Sequence, residues 1–133
     1  MTGLLETKYN VISDGKKNSI ILVTGILSKN KLEEEITIPL KSLDETPDYI
    51  KIDLLTFAIQ SGILCTLWWE NDFDNEFILP LEGRGFLNFT SFGGLQNPKS
   101  EGHTGCLVIK INKIDQQQEG HFMLLLDLTK VGK

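Results

Sequence analysis

The chain has 133 residues and a formal net charge of −5, with 13 basic against 18 acidic side chains. Alanine, the best helix former, occurs once, at Ala58, whereas leucine, isoleucine and the aromatic residues supply most of the 41% hydrophobic content. This composition disfavours a helical bundle, and it also excludes a chain that is disordered in bulk. We therefore expect one soluble domain built mainly of β-strands.

The distribution of charge bears on the choice of partners. A nucleic-acid-binding surface needs a concentration of basic side chains, whereas the lysines of this chain are scattered or mixed with acids, as in segment 29–35. The first eight residues lack the cationic start and apolar stretch of a signal peptide, and no apolar run is long enough to span a membrane. We expect no nucleic-acid partner, no membrane insertion and synthesis in a cytoplasm.

The predicted elements begin after a turn-rich stretch. Residues 13–18 read SDGKKN, a composition typical of turns. The sequence therefore predicts a flexible N-terminal arm over 1–18, followed by a single domain over 19–133. Eight segments of that domain show the alternation or the continuous apolar character of β-strands. In chain order they are 19–27, 35–41, 48–57, 63–70, 77–81, 86–90, 107–112 and 121–128.

Two of these strands carry further information. Segment 19–27 is apolar at both parities, which is typical of a strand covered on both sides. Segment 48–57 alternates as far as Leu54 and then becomes apolar at both parities, which indicates a bulge or coverage of the second side. A short helix over 54–60 is the alternative for its final part.

The connections complete the predicted architecture. Residues 82–85 read EGRG, and glycines that can adopt positive φ angles predict a β-hairpin between segments 77–81 and 86–90. Segment 91–105 holds four glycines and one proline and predicts a long ordered loop, a kind that is commonly functional. The whole pattern predicts an all-β, antiparallel β-sandwich or jelly-roll-like domain of about eight strands, with at most one short helix.

Two clusters contain residue types that ligate metals. Glu70, Asp72, Asp74 and Glu76 alternate in an acidic loop, but the glycine and the terminal glutamate that shape a twelve-residue calcium loop are missing. A solvated hairpin tip is the favoured interpretation, and calcium binding is the alternative.

The second cluster combines histidines and cysteines. It could make a zinc site or a Cys–His nucleophile pair, but no local pair has the usual zinc spacing, and thiols among apolar residues form thiolates poorly. We predict reduced thiols, no cofactor, no metal and no catalytic residue. The cluster consists of Cys65, His103, Cys106 and His121.

Adjacent tryptophans in a predicted strand are more informative. Trp68 and Trp69 must point to opposite faces, so one can enter the core while the other points outward or lies under a second layer, and the alternative is that the domain's own loops cover both. An exposed tryptophan can anchor a protein partner or stack on a sugar ring. Met123 and Leu125 alternate on the outward-facing side of the last predicted strand, so they too could contact a partner. A carbohydrate-binding β-sandwich is therefore one function that the sequence leaves open.

A resemblance favours another function. Residues 83–98 read GRGFLNFTSFGGLQNP and residues 102–109 read GHTGCLVI. This stretch resembles a pattern in small structural proteins of tailed bacteriophages, over about the last half of the chain, 77–131. Cys106 stands where that pattern often has an aspartate.

The resemblance implies a non-enzymatic virion protein, made in the host bacterial cytoplasm. Its expected role is that of a head decoration or cement protein that binds the major capsid protein or other virion proteins, with self-association as a further option. We predict that an aromatic and glycine-rich set makes the contacts, with Arg84 as a polar anchor. The other members are Trp69, Phe92, Gly93, Gly94 and Leu95.

Overall fold

The computed structural model describes residues 7–43, 46–114 and 119–132. Within these ranges the regular structure is almost entirely strand, and helical structure is limited to two 3-10 turns, Leu40–Ser42 and Thr90–Phe92. The ten strands are β1 (Lys8–Asp14), β2 (Asn18–Leu27), β3 (Glu33–Ile38), β4 (Tyr49–Ile59), β5 (Ile63–Asn71), β6 (Glu76–Leu81), β7 (Arg84–Asn88), β8 (Leu95–Gln96), β9 (His103–Lys113) and β10 (Gly120–Val131).

The strands form two antiparallel sheets. Sheet A has the order β1-β2-β10-β4-β7, and the short strand β8 also pairs with β4. Sheet B has the order β3-β9-β5-β6. The predicted all-β sandwich is confirmed. The two strands beyond the eight predicted are β1, which is largely polar, and β8, which has only two residues.

The hydrophobic core lies between the two sheets. Alternate residues of each strand face it, as in β2, where Ile21 and Val23 are fully buried while Leu22 between them is half-buried. Burial of each large aliphatic side chain stabilises the fold by about 1.5–3 kcal/mol relative to leaving it exposed. The largest fully buried side chains are Ile21, Leu27, Ile50, Ile52, Leu55, Leu124 and Leu126 of sheet A, and Ile38, Leu67, Leu107, Ile109 and Ile111 of sheet B.

A bulge in β4 explains the change of pattern in segment 48–57. Two consecutive residues of β10 oppose Leu54 and Ile52, so Asp53 between them is the extra residue. The core-facing parity therefore shifts, from Ile52 to Leu55. The predicted bulge is confirmed, and the alternative of a helix over 54–60 is wrong because β4 continues as a strand through Ile59.

Part of the predicted N-terminal arm is a strand. Residues 8–14 form β1, which pairs with β2 at the edge of sheet A. The Lys130 ammonium, buried in the sheet, lies 2.5 Å from the Asp14 carboxylate and donates to the carbonyl oxygen of Gly15 at 2.6 Å. These contacts hold the β1–β2 hairpin, so the turn-rich stretch marks a hairpin connection instead of the end of an arm. Residues 1–6 of that arm lie outside the described ranges.

The predicted hairpin over 82–85 is wrong, because this connection passes from one sheet to the other. β6 pairs with β5 in sheet B, whereas β7 pairs with β4 in sheet A. Gly83 has a φ of 69°, and its carbonyl accepts the Ile59 amide at 2.7 Å. A Cβ on Gly85 would lie 2.6 Å from the Phe57 ring. The glycines therefore allow a sheet-to-sheet crossing and a close approach to a core aromatic.

Two other predicted connections have different outcomes. The acidic loop does join two paired strands, β5 and β6, so its interpretation as a hairpin tip is confirmed. The predicted connection over 115–120 lies largely outside the described residues.

Candidate binding surfaces

The outer side of sheet A carries a largely apolar surface. Leu22 lies opposite Leu125 of β10, and Leu125 lies opposite Thr56 of β4. Thr56 in turn lies opposite Phe86 of β7, so one row of side chains crosses four strands. Phe86 is 57% exposed, and the aliphatic members are half-buried. We call this surface the A face and define it by Ile20, Leu22, Leu54, Phe86, Met123 and Leu125.

A carboxylate interrupts the A face. Asp127 of β10 lies between Ile20 of β2 and Leu54 of β4. Burial among these side chains, together with the negative charge of Asp53, raises the pKa of the Asp127 carboxyl above its ordinary value. The A face thus combines apolar area with a carboxylate whose charged form is disfavoured.

One margin of the A face carries two residues that the sequence predicted as contacts. Arg84, the first residue of β7, is exposed and pairs with Ala58 of β4. Phe92, in the 3-10 turn that follows β7, is 63% exposed and stands edge-on to Phe89 at 6.0 Å between ring centroids. Both residues are therefore accessible to a partner.

The glycine pair and Leu95 mainly serve the fold. Gly93 is exposed and ends the 3-10 turn with a φ of 85°. Gly94 is buried, and a Cβ there would lie 2.8 Å from Asp53 Oδ1, so only glycine fits against β4. Leu95 pairs with Ile52 and packs against the core. Gly94 and Leu95 therefore shape the loop instead of offering a contact surface.

Trp69 is not a surface contact, because it is 3% exposed and belongs to the core. The tryptophan on the outer side of sheet B is its neighbour Trp68, which is half-buried. Alternation required that one of the two point inward, but it did not indicate which. Phe86 was also missed, although it stands at the outer parity of its predicted strand, a signal that could have found it.

Trp68 is the centre of a second surface, which is aromatic and partly polar. The Phe77 ring is 54% exposed and stands edge-on to Trp68, with 5.1 Å between centroids. The Lys110 ammonium lies 4.4 Å from the Trp68 ring centroid, and the indole N–H donates to the Thr66 hydroxyl at 2.9 Å. We call this group the B surface: Thr66, Trp68, Phe77 and Lys110. The Trp68 ring of this surface is already covered by the Lys110 ammonium of the same chain.

The predicted loop over 91–105 contains the short strand β8 and ends within β9, which begins at His103, and polar contacts anchor the rest of it. The Ser100 hydroxyl donates to the Glu76 carboxylate at 3.0 Å, and the Ser100 carbonyl accepts the His103 amide at 3.0 Å. The Asn97 side chain accepts the Lys99 amide at 2.9 Å, and the Lys99 ammonium lies 4.6 Å from the Tyr49 ring centroid. These contacts hold the loop against both sheets.

The acidic loop is organised by amides. The Asn71 side chain accepts the Phe73 amide at 2.8 Å and donates to the Glu101 carbonyl at 3.0 Å, and the Asn71 amide donates to the Asn75 side chain at 3.0 Å. Asp72 and Asp74 point into solvent. In the described part of the chain, no three His, Cys, Asp or Glu side chains gather as a metal site would require.

The histidines and cysteines do not form one site. Cys65 is fully buried in β5, and this burial raises the pKa of its thiol to about 12, far from that of a nucleophile. Cys106 is half-buried in β9, and both thiols are free. His121 lies in sheet A, whereas His103 and both cysteines lie in sheet B. The sandwich separates these groups.

Over the described residues, no helix has the length and apolar character needed to cross a membrane.

No protein-family model and no curated protein sequence matches the chain. Solved structures match it along nearly its whole length, but with low similarity. A cupin superfamily protein from Desulfitobacterium hafniense is 11% identical, with 95% of this chain and 78% of that chain covered and a TM-score of 0.36.

Two carbohydrate-binding modules give similar values. TmCBM61, solved in complex with β-1,4-galactotriose, is 11% identical with a TM-score of 0.35, over 99% of this chain and 94% of that chain. The CBM22-1 xylan-binding domain of Xyn10C from Paenibacillus barcinonensis is 10% identical with a TM-score of 0.35, over 98% and 85%. Similarity at this level carries no conclusion about function.

Proposed function

We propose that this chain is a non-enzymatic structural protein of a tailed-phage virion, a decoration or cement protein that docks on the major capsid protein through the A face. The resemblance of segment 83–109 to small structural proteins of tailed bacteriophages supports the assignment to a virion. The observation that carries the docking is the row from Leu22 through Leu125 and Thr56 to Phe86, which crosses four strands of sheet A and is apolar on three of them. Contiguous apolar surface of this kind marks interaction sites on folded domains.

The mechanism is stabilisation through binding. Each A-face leucine that a capsid subunit covers adds part of the about 1.5–3 kcal/mol that full burial of such a side chain contributes. This free energy is available only to the assembled shell, so it shifts the equilibrium away from shell rupture. A domain that bridges neighbouring subunits would raise the force or temperature at which the shell opens.

Purified virions of the encoding phage provide the test. Leu125→Gln should lower the amount of chain on the particle about tenfold, because one well-buried anchor contributes roughly 1.4 kcal/mol or more. Leu64→Gln is the matched control, since Leu64 is also half-buried but on the outer side of sheet B. Both variants should show wild-type circular dichroism. Absence of the wild-type chain from virions, or equal binding by both variants, would refute the proposal.

The B surface supports carbohydrate binding as a second candidate. A half-buried indole beside an exposed phenyl ring, a hydroxyl and a cation on a sheet face can stack on a sugar and hydrogen-bond its hydroxyls. Lys110 lies over Trp68, so a sugar that stacks on that ring must first displace the ammonium.

A glycan array combined with tryptophan fluorescence distinguishes this candidate. If Trp68 stacks on a sugar, Lys110→Gln should bind the same glycans more tightly, and Phe77→Ala should bind them less tightly. Binding that persists unchanged in Trp68→Ala, or silence of both the wild type and Lys110→Gln on the array, would eliminate the B surface as a sugar site.

A further inference from the structure

A shallow cleft of about 470 Å³ adjoins the A face where β4 and β10 meet the start of β7. Its apolar side includes Met123, a member of the A face, and the buried Phe122. Its polar side includes Ser61 and Arg84. The cleft therefore joins a cation to the surface through which we propose that the chain docks.

Arg84 is the single arginine of the chain. Among the described residues, no carboxylate lies within ion-pair distance of its guanidinium, whereas Lys130 and His121 each have an acidic neighbour. A guanidinium presents its N–H groups as a planar fork that matches the two oxygens of a carboxylate. Arg84 is thus an exposed bidentate donor at the rim of a cleft.

The other polar groups of the cleft are largely engaged. Gln60 accepts the His121 amide at 3.0 Å and donates to the Glu119 carbonyl at 3.0 Å. His121 Nε2 lies 3.7 Å from the Glu119 carboxylate. The Ser61 hydroxyl is exposed at the mouth. An incoming acidic group would therefore meet Arg84 and Ser61 as its donors.

We propose that this cleft binds a carboxylate side chain of the capsid partner, with both oxygens on Arg84 and the aliphatic part of the side chain against Met123. This inference rests on the proposed docking of the A face and adds the chemistry of the partner: an acidic residue flanked by apolar ones. Charge complementarity supports it, because among the described residues the Arg84 guanidinium has no carboxylate within ion-pair distance and it lines the cleft together with Met123.

The single arginine makes a direct test possible. A labelled sample shows one arginine Nε–Hε resonance, and succinate should shift it in a saturable way, together with the Met123 and Ser61 amide resonances. Succinamide, the neutral analogue, should not. Arg84→Gln should abolish the Met123 and Ser61 shifts, and Lys41→Gln, which removes a cation that does not line the cleft, should keep them. Absence of a saturable shift, or shifts that persist in Arg84→Gln, would overturn the carboxylate site.

Virion binding separates this inference from the proposed function. Arg84→Glu should lower occupancy on particles about tenfold or more, Arg84→Lys should lower it less because an ammonium lacks the planar fork, and Lys41→Gln should match the wild type. If Arg84→Glu binds particles like the wild type while Leu125→Gln does not, docking stands and the carboxylate site fails. If the wild-type chain is absent from particles, the docking itself fails.

Discussion

The outer sides of the two sheets both carry the outward-facing residues of alternating strands. They differ in how many contacts those side chains make within the same chain. On sheet B, Trp68 has a cation over its ring, an aromatic neighbour and a partner for its N–H, all from the same chain. On sheet A, Leu22 lies opposite Leu125 in a largely apolar row, and Phe86 at the end of that row stands largely in solvent. An outward-facing aromatic is therefore a weaker pointer to a partner than a row of apolar side chains across several strands.

The largest expected effect tests the assignment of inner and outer positions. Trp69→Ala should lower the free energy of unfolding by about 3–5 kcal/mol, because it removes a large core side chain and leaves a cavity. Trp68→Ala should lower it by only about 1 kcal/mol, since that ring is half-buried. Urea denaturation of both variants measures the difference. Equal losses would mean that the two tryptophans are not divided between core and surface.

The next effect concerns the crossing between the sheets. Gly85→Ala should destabilise the fold by about 1–3 kcal/mol, because the added Cβ would lie 2.6 Å from the Phe57 ring. Phe57→Leu should make the same alanine less harmful, so the two changes should be less than additive in a double-mutant cycle. Additive losses would show that the glycine is needed for some reason other than its approach to Phe57.

A smaller effect tests whether the B surface is satisfied by its own chain. A double-mutant cycle of Lys110→Gln and Trp68→Leu should give a coupling of about 0.5–1 kcal/mol, the usual size of an exposed cation–π contact. High salt should reduce this coupling only slightly if the ammonium stays close to the ring. A coupling of zero would leave Trp68 as open to a partner as Phe86.

The smallest expected effect on stability comes from replacing Asp127, the carboxylate of the A face. Because the folded-state pKa of Asp127 is raised, its charged form opposes folding once the pH exceeds the ordinary value of 3.8. Asp127→Asn should therefore raise the melting temperature at neutral pH and leave it unchanged well below pH 3.8, where both states are protonated. Thermal scans across this range measure the change. An Asn variant that is less stable at neutral pH would mean that the carboxylate makes favourable contacts.

How far the sequence predicted the molecule depends on the range over which each signal acts. Alternation along single strands predicted eight of the ten strands, and the change of pattern after Leu54 indicated a bulge or second-side coverage, because side-chain parity is a local property of the backbone. The structure places a bulge at Asp53. The hairpin predicted over 82–85 was wrong because it also rested on a local signal, whereas the pairing of β7 is not a local property. Glycine in a turn shows that the chain can bend sharply, but not which sheet the next strand joins.

The residues predicted for the candidate site also divide into those whose exposure was predicted correctly and those whose surroundings depend on distant parts of the chain. Arg84 and Phe92 were predicted as contacts in light of the resemblance, and both are exposed. Gly94 and Leu95 were also predicted, yet they pack against β4, because their surroundings depend on a loop that folds back over a strand about forty residues earlier. Trp69 was also predicted as a contact but lies in the core, because alternation puts adjacent tryptophans on opposite faces of a strand without indicating which face is the inner one.

The amino-acid sequence by itself determined the class of fold, because the near-absence of alanine and the period-two patterns leave few alternatives to a β-sandwich. Only the tertiary structure decided how the strands are ordered, and so which outer residues become neighbours. Leu22, Leu125 and Phe86 are separated by up to about a hundred residues along the chain, yet they share one row of sheet A. Strand order depends on long-range pairing, and the proposed docking surface exists only as its consequence.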